Sequence, residues 1–454
     1  MGFWAIVASI ALAQGQADEP ARPRVVVLTD ISSLTAGQAE PDDGQSLIRL
    51  MLYTNELDIE GLIATSNMQH GLRTRSDLIR QVVDAYDHDH AQLVRHDGRF
   101  PPADRLRGAI RSGQPKAGPR VPVVECVGAG RDTEGSNAII AVVDRPDPRP
   151  VWVIIWGGST DLAQALWKVR STRSESELQH FVNRLRVHAI GDQDTTGPWI
   201  REQFPNLWMI TQRRAYRGMY RGGDTRLVGP EWVEQHIKKH GALGRLYPNY
   251  QGGDIWSGRL GAVRGIKEGD TPSFLALIPN GLLGVEAPEL GSWGGRFSGK
   301  GALRTDLADL DLVEPTDPDP RMSSVHRWRS EFQADFQARL TWCDTAPEES
   351  NHPPTVRLAG PLRRTVAPGT EIRLDARASS DPDRRPLRFH WSVDHPDQPQ
   401  APDVTLEAAD TPEPRIRVGP TREARRLSIL LRVTDQGTPP LTRYGRLLLD
   451  VVPN

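Results

Sequence analysis

Apolar runs alternate with amphipathic segments through the first half of the chain. The apolar runs, which are typical of buried strands, are "RVVVLTD" (24–30), "IEGLIATSN" (59–67), "VWVIIWG" (151–157), "RLRVHAIG" (184–191) and "LWMIT" (207–211). The amphipathic segments, which predict helices, are 44–55, 75–86 and 159–169. Strands that alternate with helices predict an α/β domain with a mostly parallel sheet and flanking helices.

The pattern changes twice further along the chain. Residues 221–300 are rich in Gly and Trp and predict long loops. Near residue 350 the chain switches to short β-like runs separated by Pro, Asp and Gly turns, beginning with "TVRLAG" (355–360). Several short strands at close spacing predict a smaller all-β, immunoglobulin-like sandwich. We therefore divide the chain into an α/β domain over 24–345 and a sandwich over 352–454.

Polar residues stand at the predicted strand ends. Asp30, Asn67 and Asp192 each end or follow an apolar run, and Gly157 ends another. In open α/β sheets, ligands bind beyond the carboxyl ends of the strands. These positions therefore mark the expected edge for a binding site.

Composition narrows the classes of partner. The chain has 454 residues and a formal net charge of -2, from 56 basic and 58 acidic residues. This balance gives no reason to expect a nucleic-acid partner. There are 2 cysteines, Cys126 and Cys343, which form no zinc site. They either form one disulfide or stay as two separate buried thiols.

The N-terminus predicts export. Residues 3–13 are almost all apolar and end in "ALA", a small-residue cleavage pattern, so residues 1–13 resemble a signal peptide. The protein would then be secreted or periplasmic. The alternatives are a short N-terminal anchor or a misassigned start codon. No later stretch reaches the roughly 20 apolar residues of a membrane span.

The stretch "AEPDDGQSLIRLML" (39–52) gathers three acids, Glu40, Asp42 and Asp43, before a predicted helix. One reason to cluster carboxylates is a hard cation such as calcium, which takes oxygen ligands. A carboxylate beside it can act as a base on water. The alternative is a helix N-cap, in which Asp42 or Asp43 binds the free N–H groups of the first turn.

Four separated motifs agree with one family. The segments "EPDDGQSLIRLMLYTNELDIEGLIAT", "WGGSTDLAQAL", "EGDTPSFLALIPNGL" and "WGGRF" resemble a bacterial and fungal family described as cellulose-binding, with a nucleoside-hydrolase-like domain. The resemblance covers residues 24–345, and the β-sandwich that follows matches the family's layout. It implies hydrolysis of an N-glycosyl bond in a nucleoside-like or other glycoside.

The resemblance also implies roles for single residues. Asp42 corresponds to the base that activates water, and Asp43 to a calcium ligand. Asp30, the backbone carbonyl of Thr160 and Asp270 correspond to further calcium ligands, and Asn67 to a sugar-binding residue. Asp192, at its strand end, is a further candidate for substrate binding. Related hydrolases are often dimers or tetramers, so a homo-oligomer is possible.

Two departures from the family pattern leave the activity open. Asp30 and Asp42 are twelve positions apart, and the inserted segment makes Glu40 a rival ligand. Where hydrolases often have a His that helps the base leave, this chain has Gly269, preceded by Glu268. The alternatives to an enzyme are a non-catalytic cellulose- or carbohydrate-binding protein and a structural protein of the cell envelope.

Tryptophans in the loop-rich region suggest a carbohydrate surface. Trp256 and Trp293 stand beside Gly, Ser and Arg, where their ring faces could stack on a sugar. Since Trp is usually largely buried, loop packing is the equal alternative.

Overall fold

The computed structural model describes residues 22–35, 41–66, 73–116, 118–252, 263–313, 319–394 and 404–452. The predicted signal peptide (1–13) and the candidates Glu40, Asn67 and Trp256 lie outside these residues. No helix in the described ranges combines the length and the apolar character needed to cross a bilayer.

One eight-stranded sheet organises the first part of the chain. Its strands are β1 (Arg24–Thr29), β2 (Asp58–Ala64), β3 (Ile110–Ser112), β4 (Val151–Ile155), β5 (Leu185–Ile190), β6 (Met209–Gln212), β7 (Phe297–Ser298) and β8 (Leu303–Asp306). They lie in the order β3-β2-β1-β4-β5-β6-β8-β7, and all pairs are parallel except β7 with β8. The predicted α/β class is therefore confirmed.

Helices cover both faces of this sheet. They are α1 (Asp42–Met51), α2 (Ser76–His96), α3 (Ala103–Arg107), α4 (Val123–Cys126), α5 (Glu134–Val143), α6 (Thr160–Thr172), α7 (Glu175–Asn183), α8 (Thr196–Gln203), α9 (Pro230–His236), α10 (Gly241–Leu246), α11 (Pro272–Leu275), α12 (Ser323–His326) and α13 (Arg329–Thr341). Short 3-10 helices lie at Ala215–Met219, Thr225–Val228, Pro288–Leu290, Pro320–Met322 and Pro347–Glu349.

Alternation along the central strand explains the two layers. Successive side chains of a strand point to opposite faces. Val25 and Val27 of β1 join a core with α1, α2 and α13, whereas Val26 and Leu28 join a second core with α5, α6, α7 and α8. Because both faces are covered, the strand reads as a continuous apolar run, as expected for a parallel sheet.

The last part of the chain forms two small sheets. Its strands are β9 (Arg363–Val366), β10 (Glu371–Arg373), β11 (Arg388–Val393), β12 (Val404–Glu407), β13 (Arg415–Val418), β14 (Arg425–Thr434) and β15 (Thr442–Val451). The sheets β10-β13-β12 and β11-β14-β15-β9 share one apolar core that includes Trp391, so the predicted sandwich is confirmed. The predicted strand at 355–360 is wrong, because only Thr355 pairs there, in a single bridge to Ser380.

The cysteines do not pair. Cys126 and Cys343 are both buried and free, and they lie in the two different cores of the α/β part. The alternative of two separate thiols is therefore correct. Burial raises the pKa of the Cys126 thiol to about 11, so it is protonated and inert at neutral pH.

Candidate functional site

A cavity of about 450 Å³ opens at the carboxyl ends of the parallel strands. Five carboxylates and four basic side chains are among the described residues that line it, together with aromatic rings. The lining residues are Asp30, Asp42, Asp43, Pro119, Trp156, Ile190, Gly191, Asp192, Gln193, Arg213, Arg214, Tyr216, Arg217, Tyr220, Lys267, Gly269 and Asp270. This is the edge of the sheet where strand-end residues predicted a site.

Asp42 and Asp43 form the first turn of α1. The N-cap residue is Pro41, and the helix start has no side-chain cap hydrogen bond, so the N-cap interpretation of these aspartates is wrong. The helix dipole still favours two carboxylates at this end. The Thr29 hydroxyl, at the end of β1, donates to Oδ1 of Asp43 and thereby fixes that side chain.

Two residues spaced by one helical turn tie α1 to the segment that carries Asp270. Gln45 accepts the backbone N–H of Lys267 at 2.7 Å and donates to the Gly265 carbonyl at 2.9 Å. Arg49 forms an ion pair with Glu268 at 2.6 Å. Because residues four apart share one helix face, a single face of α1 positions the whole 265–268 segment.

Asp270 is held from the other side by a short chain of hydrogen bonds. Ser273 of α11 donates to the backbone carbonyl of Asp270 at 2.6 Å, and the Trp156 indole N–H donates to Ser273 at 2.8 Å. Trp156 follows β4 directly, so the sheet itself fixes this side of the cavity.

These restraints bring three carboxylates together. One oxygen from each of Asp42, Asp43 and Asp270 lies within 4.8 Å of the other two. We call these three residues the carboxylate cluster. In the described part of the chain it is the sole group of His, Cys, Asp or Glu with spacing suited to a metal ion. Asp42 therefore lies beside Asp43 and Asp270, the two expected calcium ligands. The family resemblance assigns Asp42 a different role, that of the base.

Asp42 faces two different surroundings. Its Oδ2 lies 3.9 Å from Nζ of Lys267, a buried lysine whose ammonium is also 5.3 Å from the centre of the Tyr250 ring. Its Oδ1 is buried and has no hydrogen-bond partner. A buried acceptor without a donor is costly unless a ligand or ion completes it.

Asp30 lies in the wall of the same cavity but outside the carboxylate cluster. It is 4% exposed and packs against the backbone after β4. A Cβ at Gly157 would lie 2.5 Å from the carboxyl carbon of Asp30, so only glycine fits there.

Thr160 is not among the residues that line the cavity. It begins α6, where a backbone carbonyl accepts from the N–H four residues on, and its hydroxyl donates to Asp194 at 2.8 Å. Burial raises the pKa of Asp194. The structure therefore uses Thr160 to satisfy a buried carboxyl group behind the cavity, and gives its carbonyl no place among the lining residues.

Asp192 lines the cavity, as its strand-end position suggested, but its oxygens are engaged. It accepts from Arg201 at 2.7 and 2.8 Å and lies 3.2 Å from Arg213. It is thus the counter-charge of a basic pair at the cavity wall.

The expectation of sugar stacking on Trp293 is wrong for this structure. Trp293 is 0% exposed, donates to the Tyr444 hydroxyl at 3.1 Å and packs edge-on against that ring. It fills the junction between the α/β part and the sandwich, because loop tryptophans bury a large apolar area when a second sheet covers them. Trp256, Asn67 and Glu40 lie outside the described residues.

Glu268 is not placed to protonate a leaving group in the cavity. It is fully buried, pairs with Arg49, and accepts from the Tyr247 hydroxyl at 2.5 Å and from Thr271 at 3.0 Å. These contacts use both carboxylate oxygens away from the cavity.

Sequence reasoning missed the basic and aromatic part of the lining. It consists of Arg213, Arg214, Tyr216, Arg217, Tyr220 and Lys267. The signal was present: "RRAYRGMYRGG" (213–223) follows β6, a strand that the sequence does predict. Polar residues just after a parallel strand belong to the same edge as Asp30 and Asp192.

Comparison with known proteins supports one family over most of the chain. Residues 24–297 match the family model described as "Cellulose-binding Sde182, nucleoside hydrolase-like domain", and residues 371–451 match "Cellulose-binding protein Sde0182, C-terminal domain". A search of curated proteins gives no match.

Among solved structures, a nucleoside hydrolase-related hypothetical protein from Saccharophagus degradans, associated with carbohydrate metabolism, is 31% identical. The match covers 95% of this chain and 100% of that one, with a TM-score of 0.78. A PKD domain from the KIAA 1837 protein is 22% identical over 22% of this chain and 86% of its own, with a TM-score of 0.17. Mouse cadherin-23 is 21% identical over 23% of this chain and 33% of its own, also at 0.17.

Proposed function

The chain belongs to the cellulose-binding family that carries a nucleoside-hydrolase-like domain, and we propose that it hydrolyses an N-glycosyl bond in the cavity that holds the carboxylate cluster. The substrate is a nucleoside-like or other glycoside. The observation that carries the proposal is the convergence of Asp42, Asp43 and Asp270, with a buried oxygen of Asp42 that lacks a donor.

The residues present fit calcium. The cluster offers only hard oxygen donors, and like-charged carboxylates at this spacing repel each other unless a cation lies among them. Asp43 and Asp270 would hold the ion, with Asp42 or Asp30 beside them. Bound calcium would neutralise the cluster and polarise the water and sugar hydroxyls next to it.

Asp42 is the proposed general base. Asp42 lines the cavity with a side chain that is 16% exposed, so it can reach a water molecule there, and its buried Oδ1 has no donor among the described residues. Lys267 places a positive charge 3.9 Å from the other oxygen of this carboxylate. The aspartates then stabilise the positive charge that develops on the sugar as its C–N bond breaks. Asn67, as the resemblance of its sequence motif implies, and Asp192 would orient the sugar.

Carbohydrate binding without turnover is the second candidate. The family description names cellulose, and none of the described residues that line the cavity has an evident role as the leaving-group acid. In that case the cavity would hold a sugar without cleaving it, and Trp256 remains the aromatic candidate for stacking that the sequence suggests.

The family description and the N-terminal segment also bear on the location and the partners of the protein. We propose a carbohydrate or small-molecule partner and an exported protein, since the apolar segment at residues 3–13 resembles a signal peptide and the family description names a cell-wall polymer. A homo-oligomer is proposed only from the family resemblance.

The test is product analysis of the purified protein against a panel of nucleosides and other N-glycosides. The assay runs once with calcium and once after chelation, and released base and sugar are quantified separately. Calcium-dependent release supports hydrolysis. Absence of product from every compound, with cellulose binding retained, supports the second candidate instead.

A further inference from the structure

Arg217 is a buried basic residue in the cavity wall. It is 5% exposed, and its guanidinium lies 4.7 Å from the centre of the Tyr216 ring. Its Nε is buried without a hydrogen-bond partner, and none of the described carboxylates forms an ion pair with it. Guanidinium groups this buried are normally paired, because desolvating an unpaired charge is costly.

Each of the other basic residues that line the cavity has a carboxylate nearby. Arg213 pairs with Asp192, Arg214 lies 3.9 Å from Asp319, and Lys267 lies 3.9 Å from Asp42. Arg213 and Arg214 are also more than half exposed. Within the described lining, Arg217 is therefore the buried cation for which the described residues supply no counter-charge.

The backbone presents Arg217 rigidly. Asp306, at the end of β8, accepts the N–H groups of Arg214 and Ala215, each at 2.7 Å, which fixes the start of the 3-10 helix Ala215–Met219. Arg329 donates to the carbonyl of Gly218 on the other side. A side chain on a backbone held at both ends is preorganised for a ligand.

We propose that Arg217 binds an oxyanion of the substrate, so that the cavity takes a sugar carrying a carboxylate or phosphate group. The planar guanidinium matches either group through two parallel hydrogen bonds. The neutral hydroxyls of the same sugar would then face the carboxylate cluster. This inference rests on the proposed function only in using the same cavity as the substrate site.

The test is equilibrium binding by calorimetry with the full chain, at constant calcium and ionic strength. The probes are D-glucuronate, glucose 6-phosphate and D-glucose. A charge-assisted hydrogen bond predicts that at least one charged sugar binds roughly 10-fold to 100-fold more tightly than glucose. Tight binding of glucuronate identifies a sugar acid, whereas preference for the phosphate identifies a phosphorylated sugar.

Matched variants assign the effect to one residue. Arg217→Gln should reduce the affinity for charged sugars to that for glucose, and Arg217→Lys should retain part of it. The control is Arg226→Gln, which removes the same charge from a side chain that is 89% exposed and paired with Asp224. Thermal melts of each variant separate lost binding from lost folding.

The inference is overturned if the wild type binds neither charged sugar better than glucose, or if Arg217→Gln and Arg226→Gln behave alike. Because binding needs no turnover, this result is independent of the product assay. Charged-sugar binding through Arg217 without hydrolysis would reject the proposed reaction and keep the anion site. Hydrolysis without a preference for charged sugars would keep the proposed reaction and reject the anion site.

Discussion

This protein has two groups of buried charged residues that differ in composition. One consists of acids, whereas the other pairs acids with arginines. One is the carboxylate cluster of Asp42, Asp43 and Asp270. The other is a network of Glu56, Asp335, Arg339 and Arg443, which we call the balanced network. In it Asp335 lies 2.7 Å from both Arg339 and Arg443, and Arg339 also pairs with Glu56.

The balanced network is self-sufficient. Burial alone would raise the pKa of Asp335, but Arg443 and Arg339 hold it well below its ordinary value. The network joins α13 and the turn between α1 and β2 to β15 of the sandwich, so its pairs hold the two parts of the chain together. The carboxylate cluster instead gathers three acids within 4.8 Å of one another, with Lys267 3.9 Å from one oxygen of Asp42.

The largest effect that tests this contrast is on turnover. Asp42→Asn keeps the size of the side chain but removes the proposed base, and loss of such a base typically lowers the rate on the order of 10²–10⁴-fold. Thermal stability should hardly change, because Asp42 does not cap α1 and the substitution removes like-charge repulsion. Steady-state kinetics and a thermal melt measure the two quantities.

The matched control is Asp77→Asn. Asp77 also lies in the first turn of a helix, α2, but it is exposed and paired with Arg75. This variant should keep wild-type turnover. Full activity in Asp42→Asn would exclude Asp42 as the base, whatever the substrate.

The second prediction breaks the balanced network. Asp335→Asn leaves Arg339 and Arg443 buried with only Glu56 as a counter-charge, and removing one partner of a buried pair costs about 3–5 kcal/mol. The free energy of unfolding from denaturant titration checks this value.

Asp450→Asn is the control, since Asp450 also bridges two arginines, Arg363 and Arg426, but at the surface. We expect it to cost less than about 1 kcal/mol, because exposed ion pairs are screened by water. Equal losses in the two variants would show that burial does not set the strength of these pairs.

The sequence predicted the fold well where local pattern decides it. Apolar runs located β1, β2 and β4 to within three residues, because strands buried on both faces carry continuous apolar sequence. The predicted ends of helices were less accurate than those of strands. α2 extends to His96, ten residues beyond its predicted end, through polar residues with no marked periodicity. The pairing of Trp293 with Tyr444 depends on domain packing, which no local pattern encodes.

The sequence predicted only some of the residues that form the candidate site. Asp30, Asp42, Asp43, Asp192 and Asp270 all line one cavity, as strand-end positions and family motifs suggested. Lys267 was missed because a lone basic residue in a loop carries no signal until the fold buries it, whereas Arg217 lies in the Arg-rich segment after β6, where the strand-end rule could have identified it. The role of Thr160 also depended on a neighbour, Asp194, that lies 34 positions away.

The third prediction concerns calcium binding at the carboxylate cluster. Calcium that binds only the folded state raises stability by mass action, about 2.7 kcal/mol when free calcium is 100 times its dissociation constant. The melting temperature of metal-free wild type should therefore rise on addition of calcium, and that of Asp43→Asn should not. Differential scanning calorimetry measures both.

The same variant sharpens the contrast with Asp335. In metal-free protein, Asp43→Asn should be at least as stable as wild type, because it removes one of three mutually repelling charges. Equal calcium shifts in wild type and Asp43→Asn would exclude Asp43 as a ligand. A large loss of stability without metal would mean that the cluster is structural, like the balanced network.

The smallest predicted effect concerns pH at the junction near the balanced network. His96 of α2 lies with one ring nitrogen 2.9 Å from the Thr345 carbonyl and the other 2.9 Å from His352. The carbonyl requires an N–H from the nitrogen that faces it, and the other nitrogen of His96 faces Nε2 of His352, whose Nδ1 lies 2.8 Å from the Asp383 carboxylate. Burial lowers the pKa of His96, with further lowering by His352 and Arg95 against raising by the Thr345 carbonyl and Glu348.

The lowered pKa fixes the sign of the pH effect. The unfolded chain binds this proton near pH 6.5, whereas the folded protein resists it, so the contribution of His96 is complete above about pH 6.5 and declines as pH falls below it. His188, whose pKa burial lowers to about 4, adds a decline over the same range down to that value. Asp335 stays ionised throughout, so the balanced network does not contribute to this slope. Denaturant titrations between about pH 7 and pH 5 should show a shallower decline in His96→Gln than in wild type, and superimposable profiles would exclude His96 as a source of the acid sensitivity.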